Sequence, residues 1–147
     1  MRNAFPWIYL GLVVAQAAHS IEEVTTSLWM DMDSFTAALH SHIPLFPHVA
    51  WSREGFTLAN LAIVAILACL SWYVFRRVPW AWKLAILVAV LETLNGINHI
   101  ASYLIAPVIL PGGYRDIHFL ITSIPLLLIS IPLWAIPSFR RLPHGVD

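Results

Sequence analysis

The chain has 147 residues, of which 59% are hydrophobic and only 11% charged, with a formal net charge of zero. Soluble domains carry roughly a quarter charged residues, so this composition lies far from that class and suits a small membrane protein. Zero net charge with no basic run beyond an Arg-Arg pair argues against a nucleic-acid partner, and the single Cys69 excludes an intrachain disulfide or a thiolate zinc site.

A membrane-spanning helix needs about 20 mostly apolar residues. Four segments reach that length, which predicts an all-α integral membrane bundle of four transmembrane helices in a single domain. The first runs from about Phe5 to Trp29, and is long enough only if His19, Glu22 and Glu23 lie inside it. A long connection from about Met30 to Gly55 follows, with His40, His42 and His48 set among Pro44 and Pro47. Its apolar stretch "IPLFPHVAW" reads as an interfacial segment capping the site formed by the polar residues of the spans. The second span, about Phe56 to Phe75, has Asn60 as its main polar interruption, and Cys69 within it reads as helix packing. The third, about Trp80 to Ile105, carries Lys83, Glu92, Asn95, Asn98 and His99. A turn at Gly112-Gly113 leads to the fourth, about Tyr114 to Phe139, which contains His118, Pro125 and Pro132. Membrane helices tolerate such prolines where neighbours satisfy the freed carbonyls, and two on one face would kink the helix.

Basic residues give the orientation. Arg2, Arg76, Arg77, Lys83, Arg140 and Arg141 fall on one side of a four-span arrangement, with only Arg53 and Arg115 on the other. The positive-inside rule then puts both termini in the cytoplasm; in a bacterium the membrane would be the plasma (inner) membrane. Trp7, Trp29, Trp51, Trp80 and Trp134 lie near the span ends, where interfacial aromatics belong. A competing reading treats "MRNAFPWIYLGLVVAQAAHS" as a cleavable signal peptide, with Ala15-Gln16-Ala17 as the cleavage site.

An ionisable side chain at the centre of a span costs roughly 2.5–3.5 kcal/mol on insertion scales, so such residues face protein or water. His19 is three and four residues from Glu22 and Glu23, which sets both carboxylates beside the imidazole. Gln16 and Thr26 extend that stripe. Glu92, Asn95, Gly96, His99 and Tyr103 share one face of the third span, Asn98 points elsewhere, and His118 and Thr122 lie one turn apart on the fourth. With the first and third spans running outward, the polar residues of all four converge on one layer in the outer half.

Helix bundles hold metals with carboxylates and histidines at such spacing. His19, Glu23 (or Glu22), Glu92, His99 and His118 are the candidate ligands of a divalent metal, zinc or iron, with Asn95 and Tyr103 supporting them. The residues admit a metal-dependent enzyme on a lipid-soluble substrate. They also admit a metal-free isomerase or cyclase, with a buried glutamic acid as general acid and histidine as base. A third alternative is a non-catalytic lipid-binding or transport subunit, which could conduct only as a homo-oligomer. Plain interhelical hydrogen bonding would account for any one of these residues, less readily for seven or eight at one depth.

"HSIEE" in the first span, "NGINH" (Asn95 to His99) in the third and Pro111-Gly112 in the following loop occur in the order that resembles the HXXEE-motif family of small integral membrane proteins. The stretch before Pro-Gly, "VIL", lacks the tyrosine expected two residues upstream. The resemblance implies a retained first span and a shared polar site, and no particular reaction.

Overall fold

The computed structural model describes residues 4–109, 118–136 and 139. The described residues form five helices and no strand: α1 (Phe5–Thr25), α2 (Leu28–His42), α3 (Arg53–Phe75), α4 (Pro79–Ile109) and α5 (His118–Ala135). The expected all-helical class is found. Among the described residues, two helices, Arg53–Phe75 and Pro79–Ala101, are long and apolar enough to cross a membrane.

The stretch expected to be a loop from Met30 to Gly55 instead holds α2. Residues 28–42 contain neither proline nor glycine, and Pro44 stops the helix two residues past its end. The segment after it folds back: His40 Nδ1 lies 2.6 Å from the Phe46 carbonyl, and the Thr36 hydroxyl donates to the Val49 carbonyl at 3.3 Å. His48 pairs with Asp33 at 3.3 Å. The first helix also ends sooner than Trp29. Ser27 adopts a left-handed backbone conformation (φ 62°), and the Thr25 and Thr26 hydroxyls donate to carbonyls of the last turn. Those carbonyls already accept backbone N–H groups of α1, so the hydroxyls add second bonds, while Ser27 N–H turns to the Val24 carbonyl at 3.4 Å and tightens the last turn.

At the other end of the molecule α3 closes on a left-handed Arg77 (φ 58°), with Val78 N–H donating to the Tyr73 carbonyl and Arg77 N–H to the Val74 carbonyl. This is the Schellman pattern, and Pro79 starts α4 at the position where its missing N–H costs nothing. Ser52 caps the start of α3 through Gly55 N–H at 3.0 Å.

Helices α1 and α4 each pack on both α3 and α5, and meet one another only along the diagonal between them. Contacts at the ends set the directions. Phe5 stacks on Trp82 (centroids 3.9 Å apart), and Trp82 Nε1–H donates to the Phe139 carbonyl at 2.7 Å. At the opposite end His19 of α1 meets Thr122 of α5, and Glu23 of α1 meets His99 of α4. Thus α1 and α4 run one way, and α5 runs against both. Trp7 against Phe75 shows that α3 also opposes α1. Between the ends, the Thr93 hydroxyl meets Ser130 at 2.8 Å and accepts from Trp134 Nε1–H at 2.9 Å. Gly96 lets α5 come close: a Cβ there would stand 2.8 Å from Leu127 Cγ.

The buried set includes Gln16, His19, Asn60, Glu92 and His99, whereas Val14, Leu58, Ile66, Leu91 and Leu128 face outward. Cys69, expected to pack between helices, is exposed on α3. Asn60 is buried but donates to the Phe56 carbonyl of its own helix, so it links no neighbour through that bond.

Candidate metal centre

On α1 the steps of three and four that place Tyr9, Leu12, Gln16 and His19 inward bring Glu23 to the same side one turn later. On α4 the same spacing turns Glu92, Asn95 and His99 towards α1. The diagonal between α1 and α4 is therefore lined with polar groups, inside a bundle whose outer faces are apolar.

At its far end three residues converge. His19 Nε2 and His99 Nε2 each lie 3.3 Å from Glu23 Oε1, and the two imidazoles meet edge to face with centroids 4.7 Å apart. One ligand atom from each of His19, Glu23 and His99 falls within 4.8 Å of the others, so this buried group could hold a metal ion. His19 is fully buried, yet its Nε2 has no hydrogen-bond partner; the approach to Glu23 has the distance of a hydrogen bond but not its geometry. The other ring nitrogen, Nδ1, lies 2.7 Å from the Thr122 hydroxyl, which in turn donates to Glu22 Oε2. Glu22 itself is 4.0 Å from Nδ1.

The two adjacent carboxylates of "HSIEE" thus face different partners: Glu23 reaches both imidazoles, and Glu22 reaches Thr122. Glu92 is buried and hydrogen-bonded to Asn95, but does not belong to the group of three. It shares their face, yet seven residues separate it from His99, or about 10 Å along the helix. Asn95 is half-buried beside it, Tyr103 is half-buried and engaged, and Asn98 is exposed. His118 opens α5, with its side chain outside the described residues, as are Pro111, Gly112 and Gly113. Thr122 had no signal in the sequence beyond its place one turn from His118. A hydroxyl in an apolar helix is common, and only the packing of α5 on α1 brings it to His19.

An apolar cleft of about 230 Å³ opens between α1 and α3, lined by Ala17, Ile21, Val24, Leu61 and Val64 among others. It lies on the opposite face of α1 from His19 and includes none of the three converging residues.

No protein-family model, curated protein or solved structure matches the chain. The chemistry of the site therefore rests on its donor set. Two imidazole nitrogens and one carboxylate are the protein ligands of many catalytic zinc sites, which leave a fourth position for water or substrate. Neutral imidazole accompanies carboxylate and imidazole readily around zinc and around ferrous iron.

Proposed function

We propose that this protein is a multi-pass membrane enzyme that uses a divalent metal held by His19, Glu23 and His99 to act on a lipid-soluble substrate. The observation that carries this reading is the orphaned His19 Nε2, fully buried and 3.3 Å from a carboxylate oxygen. Leaving a buried polar atom unpaired costs about 1–3 kcal/mol, and a cation between the two groups removes that cost. Zinc and ferrous iron both take two imidazoles and a carboxylate, and an open coordination position would let bound water or a substrate oxygen be polarised.

Membrane location is supported by the two long apolar helices and by the large apolar side chains on the outward faces of α1, α3, α4 and α5. In the proposed orientation both termini are cytoplasmic, and the site lies in the outer half of the plasma membrane. Helix α1 is retained: it buries Phe5, Tyr9 and Leu12 completely and supplies two of the three ligands. The residues that resemble the HXXEE-motif family, His19, Glu22, Glu23, Asn95 and His99, include all three ligands. That coincidence supports kinship with the family.

Elemental analysis of detergent-purified full-length protein tests the proposal. One zinc or iron per chain is expected, lost in Glu23→Gln and in His99→Ala while helix content is unchanged. Wild-type protein that takes up neither metal when supplied with it would overturn the metal reading in favour of metal-free acid/base chemistry.

A further inference from the structure

Glu22 and Thr122 are used by none of the metal chemistry above, although both are held against His19. The directions of their hydrogen bonds follow from elementary inventory. A threonine hydroxyl has one proton, and here it is donated to the Glu22 carboxylate, which can only accept. Thr122 Oγ1 therefore has only lone pairs to offer His19 Nδ1, 2.7 Å away. The pairing is a hydrogen bond only if Nδ1 carries the proton. A neutral imidazole protonated on Nδ1 has its lone pair on Nε2, the atom that faces Glu23 and lacks a partner.

We propose that Glu22, acting through the Thr122 hydroxyl, is a positioning residue that locks His19 in the Nδ1-protonated tautomer and so aims the Nε2 lone pair at the metal position. The inference rests on the metal reading for its purpose, but the tautomer it assigns belongs to the metal-free protein as well. It gives the two neighbouring glutamates separate jobs. Glu23 ligates, and Glu22 orients a ligand from behind, as carboxylates commonly do to metal-binding histidines. The hydroxyl between them spans what is otherwise a 4.0 Å gap from Glu22 to Nδ1. It also makes α5 part of the site although α5 gives no ligand to the group of three. The arrangement depends on α5 staying in register with α1, because Thr122 is separated from Glu22 by 100 positions in the chain.

The test has two arms on the full-length protein in detergent. In the first, ¹⁵N-histidine NMR of chelator-treated protein reads the His19 tautomer, with the signal assigned by its loss in His19→Gln. Wild type is expected to show protonated Nδ1 and bare Nε2, Thr122→Val a mixture of tautomers, and Thr122→Ser the wild-type state. Glu22→Gln offers the hydroxyl a donor as well as an acceptor and is expected to give a mixture too. It stands in if Thr122→Val does not fold. Wild-type His19 protonated on Nε2, or a tautomer indifferent to both variants, would overturn the relay. In the second arm, zinc titration is expected to show affinity reduced about 10–100-fold in Thr122→Val with one site kept, whereas Glu23→Gln loses the site. Undiminished affinity in Thr122→Val would overturn the positioning role. Wild type that binds no zinc sinks the metal reading alone, and the first arm still decides the tautomer.

Discussion

The two ends of the helix bundle solve opposite problems. At one end, Phe5, Trp82 and Phe139 form a closed aromatic cluster in which the indole N–H finds the Phe139 carbonyl. The three rings are packed and the indole N–H is paired, so that cluster has packing to offer and no chemistry. At the other, His19, Glu23 and His99 crowd three ligand atoms together and leave one of them unpaired. The same two helices, α1 and α4, supply both ends, so a packed cluster and an incomplete buried site stand on one pair of helices. A buried group can be left incomplete for a ligand only where the rest of the structure is complete enough to hold it there.

That contrast can be broken from either side. Removing Glu23 or His99 is expected to have the largest effect, complete loss of stoichiometric metal, with little change in unfolding. Trp82→Ala should do the reverse, since it removes a fully packed ring and leaves the Phe139 carbonyl without its donor. A loss of about 3 kcal/mol or more in unfolding free energy is expected, measured by denaturant titration in detergent, with metal stoichiometry kept in the folded fraction. If Trp82→Ala also abolishes metal binding, the two ends are not separable.

Smaller changes between the ends sharpen the comparison. An added methyl in Gly96→Ala would meet Leu127 at 2.8 Å and the Ser123 backbone at 3.3 Å, so the Leu127 side chain must shift and the α5 backbone give by a few tenths of an ångström. Such overpacking costs about 1–3 kcal/mol, and it should also weaken zinc affinity, because Ser123 adjoins Thr122. Unfolding and zinc titrations of one preparation would check both. Thr93→Val leaves Trp134 Nε1–H and Ser130 without that hydroxyl. A cost of about 1 kcal/mol is expected for the two bonds together, with no change in zinc affinity. A drop in affinity there would mean that the middle layer transmits strain to the site.

The residues of the site were partly legible before any packing was known. The spacing from His19 to Glu23 and from Glu92 to His99 reports faces, because side chains three and four apart on a helix share one. Face, however, says nothing of height. Glu92 reads as a ligand by its face, yet it stands about two helical turns from His99 and is not part of the group that forms. Helix α2 shows a related limit: Leu28–His42 is polar enough to read as a loop in a chain this apolar, and only its lack of glycine and proline marks it as helical.

The sequence by itself determined that the chain is helical and largely apolar, and that an imidazole and two carboxylates stand on one stretch of the first helix. These are local properties, set by composition and by the 3.6-residue period. Which glutamate meets which partner was decided only by the tertiary structure. Glu22 and Glu23 are neighbours in the chain and about 100° apart around the helix. One therefore turns to α5 and Thr122, the other to α4 and His99. Spacing within α1 sets both beside His19 without naming the partner of either, because the partners come from the packing of the other helices.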